Sequence, residues 1–472
     1  MAVNVKHKTK TKSLKEPILS IRVYTSGKEV DRLLRKRGEE IVNRTAECFN
    51  LPLAYYKTIG DIILMFADDE LVGIAAMEQQ EDKRYYLNTV CTFIEHRGKG
   101  YCSWFMPQIL AIEPYNSNVV YLEVDKTNAA AIRCYKKAGF YYKSEYDGTY
   151  DAYEWRRPLN ILVYSMACNH PGLPEETGAV SLELGVMADI GKLVSTAYNT
   201  IHTNSTQARW NITIYLDGHP GDYIMTMQPH ANGVGIKATR TNVQDRGDTC
   251  AERMGKFLRE HSMEKADNML IVGGHGMIYE NNKQAEFWPV SYREDGSIDT
   301  LTIREIAHAI NRNVRGGKVR LLVLDSCCLS TLEVLETVNE SCEYLVAYQS
   351  EGPWGGFLSQ HTLMHLLSSP DMKTAIIRCM EEYKRAADSE ENPSPITLMR
   401  TKYFRDLLNE VEELSHSKNR TYQDLLTYAR TTIKSTRQRN AFKRIFDSVV
   451  VAYLVPNTYR PNGEENGLSH LV

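Results

Sequence analysis

Residues 270–276 read Leu-Ile-Val-Gly-Gly-His-Gly, and residues 321–328 read Leu-Leu-Val-Leu-Asp-Ser-Cys-Cys. Each segment is a short apolar run that ends in a reactive side chain. A buried parallel strand delivers a catalytic residue to the edge of a sheet in this way. The 52 residues that separate His275 from Cys327 leave room for one crossover helix between neighbouring parallel strands. The two segments predict a thiol and an imidazole at one sheet edge, which suits a cysteine peptidase.

The length and composition of the chain indicate several domains without a marked charge bias. At roughly 150 residues per domain, 472 residues with 43% hydrophobic content predict two or three domains. The formal net charge of -3 favours neither nucleic acid nor a membrane as a partner. No segment approaches the roughly 18 consecutive apolar residues that a transmembrane helix needs. Five lysines between Lys6 and Lys15 predict that residues 1–19 form a disordered basic tail rather than a secretory signal.

Ten cysteines are scattered along the chain without a CxxC pair, without metal-ligand spacing and without a dense disulfide pattern. This usage favours a reducing compartment. We therefore predict a cytoplasmic protein with no metal site.

Residues 20–158 have the pattern of one α/β unit. Gly139 follows the last periodic segment of this unit, as expected for the end of a helix. The predicted elements are a hairpin over 61–77, a strand over 85–93, a helix over 101–112, a strand over 119–124 and a helix over 128–137.

Strands alternate with helices again over residues 210–360, which predicts a mostly parallel sheet. Residues 159–209 predict a linker with one helix over 183–202, residues 361–456 a helical extension, and residues 457–472 a polar tail. The other predicted elements are strands over 212–216, 269–272, 319–324 and 344–347, and helices over 249–261, 302–311, 332–338, 372–387, 396–413 and 422–433.

A glycine-rich basic turn, residues 97–100, joins a predicted strand to the helix that follows it. Glycines let backbone N–H groups approach an anion, and a helix N-terminus attracts negative charge. The turn is therefore a candidate pyrophosphate site. By itself it is a weak signal, because such turns often have a purely structural role. A second segment, residues 128–140, strengthens it and reads Asn-Ala-Ala-Ala-Ile-Arg-Cys-Tyr-Lys-Lys-Ala-Gly-Phe.

Together the two segments resemble the GNAT acetyltransferase family. The family's acyl-CoA loop reads Arg-x-x-Gly-x-Gly/Ala, and its later motif reads Asn-x-x-Ala-x-x-x-Tyr-x-x-x-Gly-Phe. The later motif matches throughout, whereas the loop has Cys102, a small thiol, where Gly or Ala is usual. The resemblance covers residues 20–158 and implies a mixed sheet with flanking helices, acetyl-CoA as the cofactor and an amine as the acceptor.

The resemblance also implies roles for individual residues. Tyr135 would be the general acid that returns a proton to the departing CoA thiolate; alternatively, it is a half-buried helix residue beside Phe140. Glu78 and Glu123 are candidates for the base, and either can instead be a solvated carboxylate at a strand end. The implied cofactor-binding residues are Arg97, Gly98, Lys99, Gly100, Tyr101 and Cys102, whose backbone would cradle the pyrophosphate, and Asn128.

The second site needs a thiolate, a base and a group that stabilises an oxyanion. Cys327 would supply the thiolate, and His275 would act as the base and then protonate the leaving amine. Gly274 and Gly276 let the backbone turn sharply and leave an unhindered N–H for the oxyanion. His-Gly after a strand is commonly a turn, and Cys after a strand is commonly a core thiol. A strand-terminal His-Gly followed by a strand-terminal cysteine, in this order and at this spacing, is much less common by chance than either feature alone.

This region, residues 210–360, resembles the caspase-like cysteine peptidases, most closely the clostripain branch. In that branch an apolar run ends in His-Gly and a later one ends in Asp-Ala-Cys. Here Ser326 replaces the alanine, and the cysteine is doubled. Alignment of Asp325 makes Cys327 the nucleophile, whereas a register shift of one residue would make it Cys328. The resemblance implies a caspase-like, mostly parallel α/β sandwich that acts on a protein or peptide substrate.

Substrate preference is carried by acidic residues in the clostripain branch, where they line a pocket for a basic residue before the scissile bond. Asp325 is one such residue by alignment, and Glu351 is a candidate for a second. A carboxylate in a partly desolvated pocket favours arginine through a bidentate pair. Alternatively, Asp325 caps a helix and Glu351 is a solvated loop charge. Cleavage after aspartate, as in caspases, needs basic pocket residues, and we identify none in the sequence.

The sequence therefore predicts a bifunctional enzyme that joins an acyl-CoA-dependent N-acetyltransferase to a His/Cys-dyad endopeptidase. In an alternative interpretation, one of the two modules is catalytically inactive and instead senses acyl-CoA or binds a partner. The acetyltransferase module fits this interpretation better than the peptidase module does. A third possibility is a zymogen that cuts itself at a basic site in a surface loop.

Overall fold

The computed structural model describes residues 17–166, 210–217, 222–229, 236–243, 248–274, 276–279, 284–292, 298–326, 329–330, 332–348, 357, 360–369, 372–387, 394–414 and 433–454. It contains two compact units, the first ending at Arg157 and the second beginning at Pro158. Among the described residues, no helix is long and apolar enough to cross a membrane. Residues 1–16 of the tail predicted over 1–19, the tail predicted over 457–472 and the helix predicted over 183–202 lie outside the described residues, as does nearly all of the helix predicted over 422–433. The predicted N-terminal tail is one residue too long, because Leu19 begins the first strand.

The first unit is a seven-stranded sheet with helices on both faces. The strand order is β1-β2-β3-β4-β5-β7-β6, and the one parallel pair is β4 with β5. This confirms the predicted mixed sheet with flanking helices. The elements are β1 (Leu19–Tyr24), α1 (Lys28–Thr45), β2 (Asp61–Ala67), β3 (Glu70–Gln79), β4 (Tyr85–Thr92), α2 (Tyr101–Leu110), β5 (Val120–Asp125), α3 (Ala129–Ala138), β6 (Tyr141–Glu145) and β7 (Tyr150–Trp155).

The two faces of this sheet have separate cores. Leu33 and Ile41 of α1 pack with Phe66 on one face. Helices α2 and α3 cover the other face, where Phe105 and Tyr135 pack with alternate residues of β4 and β5. Because side chains alternate along a strand, the intervening residues of β4 and β5 point to the opposite face. That face carries the polar and aromatic side chains described below.

The second unit is built on a nine-stranded sheet in the order β11-β10-β9-β8-β12-β16-β17-β18-β19, with a separate sheet β13-β14-β15. The five strands from β9 to β17 in this order are parallel, and the outer strands are antiparallel. The mostly parallel α/β sheet is confirmed. The elements are β8 (Leu159–Met166), β9 (Trp210–Asp217), β10 (Asp222–Pro229), β11 (Ile236–Val243), α4 (Cys250–His261), β12 (Asp267–Gly273), β13 (Gly276–Tyr279), β14 (Gln284–Tyr292), β15 (Ile298–Thr302), α5 (Ile303–Asn313), β16 (Val319–Asp325), α6 (Leu332–Val338), β17 (Cys342–Tyr348), α7 (Gln360–Ser368), α8 (Met372–Ala387), β18 (Ile396–Arg400), α9 (Phe404–Leu414), α10 (Thr436–Val449) and β19 (Val450–Leu454).

Three strands lie where the sequence predicted other structure. Strand β8 occupies the start of the predicted linker and lies between β9 and β12. Strands β18 and β19 fall within the predicted helical extension, and the helix predicted over 396–413 is wrong in its first residues. β8 and β18 are buried on both faces, so they lack the alternation that identifies a half-exposed strand.

A ladder of buried asparagines fixes the register of the central strands. Asn211, Asn160 and Asn268 stand opposite one another on β9, β8 and β12. Asn211 Nδ2 donates to Asn160 Oδ1 at 2.8 Å, and Asn160 Nδ2 donates to Asn268 Oδ1 at 2.8 Å and to the His261 carbonyl at 2.9 Å. A slip of one residue would break the hydrogen bonds between these buried asparagines, so the ladder favours one alignment.

We expect Asn160→Ala to lower the free energy of unfolding by about 2–4 kcal/mol, because two buried amides lose their shared partner. Urea unfolding of the full chain measures the change. Asn242, which is exposed on β11, provides the matched control, and its replacement by alanine should change stability by less than about 0.5 kcal/mol. Equal effects of the two substitutions would show that the ladder does not stabilise the sheet.

Candidate functional site

The parallel strands β4 and β5 separate soon after they begin. They pair at two positions, Tyr85 with Val120 and Tyr86 with Tyr121. β4 then carries a bulge, seen as a register shift against β3 and as a φ of 51° at Thr89. Because a bulge bends its strand, the carboxyl-terminal part of β4 diverges from β5. The resulting gap, which we call the β4–β5 opening, is bounded by these two strands and by the helices α2 and α3 that follow them.

The glycine-rich turn lies at the β4 side of this opening. Gly98 and Gly100 have φ values of 75° and 78°, which L side chains rarely adopt. A Cβ at either position would meet no atom within 4 Å, so backbone conformation rather than crowding requires glycine. Residues 97–100 are exposed, and no side chain caps α2 at Gly100. An exposed turn at an uncapped helix N-terminus fits a pyrophosphate.

The side chain of Arg97 braces the start of this turn. Its Nε donates to the Thr92 carbonyl at 3.1 Å, and its Nη2 lies 3.1 Å from the Cys48 sulfur. Cys48 is joined to Cys91 by a disulfide. Arg97 is thus positioned to contribute its backbone to an anion site while its guanidinium is held by the protein.

Cys102 differs from its prediction as a free thiol. It forms a disulfide with Cys134, one residue before Tyr135 in α3. Cys102 and its neighbour Tyr101 are both half-buried. Two disulfides in one domain are unusual for a reducing compartment. The cytoplasmic location therefore stays a prediction.

Asn128 and Tyr135 both have structural contacts in α3. Asn128 is the N-cap, and its Oδ1 accepts the N–H of Ala131 at 3.1 Å. Tyr135 is buried edge-on against Phe140, with ring centroids 5.8 Å apart. Burial raises the pKa of Tyr135 above its ordinary value near 10. The hydroxyl therefore keeps its proton at neutral pH, as a general acid must, but it is a weaker proton donor than a free phenol.

Glu123 has the environment of a base. It lies on the β5 face away from α2 and α3, where the Tyr86 hydroxyl donates to its Oε2 at 3.4 Å. The rings of Tyr86 and Tyr121 stack beside it, with centroids 5.0 Å apart. Burial, aided by Asp147, raises the pKa of Glu123 above 4.5 although the Tyr86 hydrogen bond opposes the shift. The other candidate, Glu78, stands opposite Tyr86 in the β3–β4 ladder.

Sequence reasoning did not identify Tyr86 or Asn88 as part of this face. Asn88 Nδ2 donates to the Tyr55 hydroxyl at 2.8 Å. The signal in the sequence was the alternation along β4. Tyr85 and Leu87 point into the core, whereas Tyr86 and Asn88 do not. Because either face of the strand could have been the core, the pattern alone did not mark Tyr86 as a neighbour of Glu123.

The second candidate site lies at the carboxyl ends of β12 and β16. These strands are adjacent and parallel, and Gly273 stands opposite Asp325. His275 follows Gly273 by two residues, and Cys327 follows Asp325 by two residues. The strands that lead to the predicted dyad thus end at the same edge and at the same level. His275, Cys327, Cys328 and Glu351 themselves lie outside the described residues, while Gly276 begins β13.

Asp325 is tied to a later part of the chain. Its Oδ2 accepts the N–H of Phe357 at 2.8 Å. Burial raises the pKa of Asp325 to about 6, while hydrogen bonds from Phe357 and Tyr348 hold it lower than burial alone would. Among the described residues, the backbone partner of this carboxyl is the N–H of Phe357. The two roles that the sequence suggests for Asp325, in a substrate pocket or as a helix cap, both stay predictions.

Adjacent parallel strands that lead to a histidine and a cysteine at one sheet edge are the framework of a cysteine peptidase. The sequence model of the clostripain family matches residues 192–460, more than half of the chain. The chain belongs to the clostripain family. The sequence model of the acetyltransferase (GNAT) family matches residues 38–140. The chain therefore has a GNAT-like domain and a clostripain-like cysteine peptidase domain, two families that indicate an enzyme.

Several solved structures are similar to parts of the chain. A secreted C11 cysteine protease from Bacteroides thetaiotaomicron, in complex with an irreversible peptide inhibitor, is 13% identical, with 63% of this chain and 84% of that chain covered and a TM-score of 0.46. An inactive zymogen C11 protease from Parabacteroides distasonis is 16% identical, with 66% and 90% covered and a TM-score of 0.44. A GNAT-family acetyltransferase from Bacillus cereus ATCC 10987 is 12% identical, with 29% and 96% covered and a TM-score of 0.25. No curated protein matches the chain.

Proposed function

We propose that the chain is a bifunctional enzyme, an acetyl-CoA-dependent N-acetyltransferase joined to a cysteine endopeptidase. The in-register ends of β12 and β16, which lead to His275 and Cys327, carry the peptidase proposal. The β4–β5 opening beside the exposed glycine turn carries the transferase proposal.

In the peptidase, His275 would take the proton of the Cys327 thiol, and the thiolate would attack the scissile carbonyl carbon. The backbone N–H of Gly276 would stabilise the oxyanion, and His275 would then give its proton to the leaving amine. Asp325 and Glu351 would line the pocket for a basic residue before the scissile bond. The partly buried carboxyl of Asp325, whose pKa is raised by desolvation, supports this preference, because a carboxylate with little water around it pairs strongly with arginine.

In the transferase, bound acetyl-CoA would supply the acetyl thioester. The backbone N–H groups of residues 97–102 would hold its pyrophosphate, beside the N-cap Asn128. Glu123 Oε2 would accept a proton from the acceptor amine. Its raised pKa supports this role, because a stronger base removes that proton more readily. The Tyr135 hydroxyl would donate to the sulfur of the leaving group.

One observation favours a second candidate, an acyl-CoA-sensing domain without transfer activity. Tyr135 is buried in the core and its pKa is raised, which weakens it as an acid. A domain that binds the cofactor without releasing a thiol has no need of that proton. Acetyl-CoA binding without acetylation of any amine would support this candidate.

Two assays on the purified full chain test the proposal. Fluorogenic peptides ending in Arg, Lys or Asp measure hydrolysis, and mass spectrometry follows acetylation of lysine peptides and small amines by acetyl-CoA. We expect release after Arg and Lys, and a 42 Da gain on an amine, which is about the mass of one acetyl group replacing a proton. No hydrolysis of any peptide would overturn the peptidase assignment, and no binding of acetyl-CoA would overturn the transferase assignment.

We expect Asp325→Asn to lower kcat/KM about 100-fold for a peptide ending in arginine, because a desolvated charge pair is lost. The amide oxygen still accepts the N–H of Phe357, which preserves the local fold. A matched peptide ending in citrulline, which is neutral and similar in shape, should lose less than about threefold. Equal losses on both peptides would show that Asp325 acts through structure alone.

Asp325→Asn should also raise the free energy of unfolding at pH 8. The pKa of the Asp325 carboxyl is 3.8 in the unfolded chain and about 6 in the folded protein, so the native state binds the proton more tightly. Stability therefore falls as the pH rises from about 4 to about 6, and it stays lower above that range. Asp325→Asn removes this penalty, so its advantage over the wild type in thermal unfolding should be present at pH 8 and absent near pH 4.

A further inference from the structure

The Cys102–Cys134 disulfide joins the two sides of the β4–β5 opening. Cys102 lies in the first turn of α2, which follows β4, and Cys134 lies in α3, which follows β5. Their Cα atoms are 6.3 Å apart. The strands themselves pair at only two positions and then diverge. The disulfide is therefore the covalent tie between the helices that bound the opening.

The disulfide is also adjacent to the residues proposed to bind the cofactor and to take part in the reaction. Cys102 follows the exposed turn of residues 97–100, whose backbone conformation depends on glycines. Cys134 directly precedes Tyr135. Freeing the first turn of α2 from α3 would loosen the pyrophosphate turn relative to the helix that carries both Asn128 and Tyr135.

The two cysteine residues differ in exposure. Cys134 is 6% exposed and belongs to the core beneath α2 and α3, whereas Cys102 is half-buried at the edge of that core. A thiolate must reach its reagent to react, so Cys102 is the residue at which exchange would begin.

We propose that Cys102 and Cys134 form a reversible thiol switch that sets the affinity of the N-terminal domain for acetyl-CoA. The inference rests on the proposed binding of acetyl-CoA by this domain. In the disulfide form the turn and α3 are held in place before the ligand arrives, so binding loses less conformational entropy. In the dithiol form this ordering has to accompany binding, which weakens affinity.

The exchange balances with a low-molecular-weight disulfide, such as oxidised glutathione, as the oxidant. Cys102 loses its proton to solvent, and its thiolate attacks one sulfur of the reagent, forming a mixed disulfide and releasing one thiolate. Cys134 then loses its proton, attacks the Cys102 sulfur and releases the second thiolate. Two electrons pass from the protein sulfurs to the reagent, and excess reduced thiol reverses both steps.

Calorimetric titration of the full chain with acetyl-CoA tests the proposal after equilibration with oxidised or reduced glutathione. Alkylation and peptide mass spectrometry verify the state of the Cys102–Cys134 pair in each sample. We expect the dissociation constant to be about tenfold larger in the reduced sample. Cys102→Ser with Cys134→Ser should bind as weakly as the reduced wild type under both conditions.

The second disulfide provides the matched control. Cys48→Ser with Cys91→Ser should retain the tenfold response to reduction, whatever its basal affinity. The single variant Cys102→Ser, which leaves the buried Cys134 side chain in place, replaces the double variant if the latter does not fold.

The possible failures are distinguishable. Equal affinity in the two states, with the disulfide verified in one and absent in the other, would overturn the switch alone. A pair that does not form under oxidised glutathione would do the same. Absence of binding in both states would overturn the proposed cofactor, and the switch with it.

Discussion

Cys327→Ala is expected to abolish peptide hydrolysis, lowering kcat/KM by at least about 10⁴-fold. Without the sulfur there is no nucleophile to form the acyl-enzyme, and the remaining oxyanion stabilisation cannot replace it. Initial rates on a fluorogenic peptide ending in arginine measure the loss. An unchanged thermal unfolding profile of the full chain would show that the variant is folded.

Cys328→Ala is the matched control, since it removes the adjacent sulfur. Cys327 follows Asp325 by two residues in the sequence, as His275 follows Gly273, and Gly273 pairs with Asp325. We therefore expect Cys328→Ala to keep activity within about threefold of the wild type. If Cys327→Ala retains hydrolysis and Cys328→Ala loses it, the nucleophile assignment is wrong by one residue.

Tyr135→Phe is expected to lower kcat for acetyl transfer about 10²- to 10³-fold, because the leaving sulfur loses its hydrogen-bond donor. The ring remains to pack against Phe140, so acetyl-CoA affinity should change little. Because its pKa is raised, Tyr135 stays protonated through neutral pH. The rate should instead fall as the pH drops through the raised pKa of Glu123, where the base becomes protonated.

Tyr115→Phe is the control that distinguishes a loss of catalysis from a loss of stability. Tyr115 is buried in the same domain, and its hydroxyl donates to Asp61 at 2.7 Å. Loss of that bond should destabilise the domain by about 1–3 kcal/mol without lowering kcat for transfer. If Tyr135→Phe transfers acetyl groups as fast as the wild type, Tyr135 is not the general acid of the reaction.

Much of the fold could be predicted from the sequence because local patterns were strong. Helices α6 and α8 begin and end at the predicted residues, and the capping boxes at Thr249 and Thr302 mark the starts of α4 and α5. Strands β8, β18 and β19 could not be assigned in this way. Their place is decided by pairing with residues far away in the chain, which a local window does not contain.

The candidate sites likewise combine features that the sequence predicted with features that it did not. The motifs at residues 97–102 and 128–140 predicted which elements would hold a cofactor, but not that Asn128 also caps α3 or that Cys102 is bonded to Cys134. Asp325 was predicted in a substrate pocket. Its bond to Phe357 and its raised pKa depend on burial by segments that arrive later in the chain.

Sequence patterns alone specify the chemistry available to this protein: a histidine and a cysteine after two apolar runs, and a glycine turn before a helix. These features are local, because a strand, a turn or a cap depends on residues a few positions apart. The three-dimensional packing establishes that β12 and β16 are in-register neighbours, that β4 and β5 diverge, and that a disulfide joins the helices beside them. Such relations depend on burial and on pairing between residues that are distant in sequence, which no local pattern specifies.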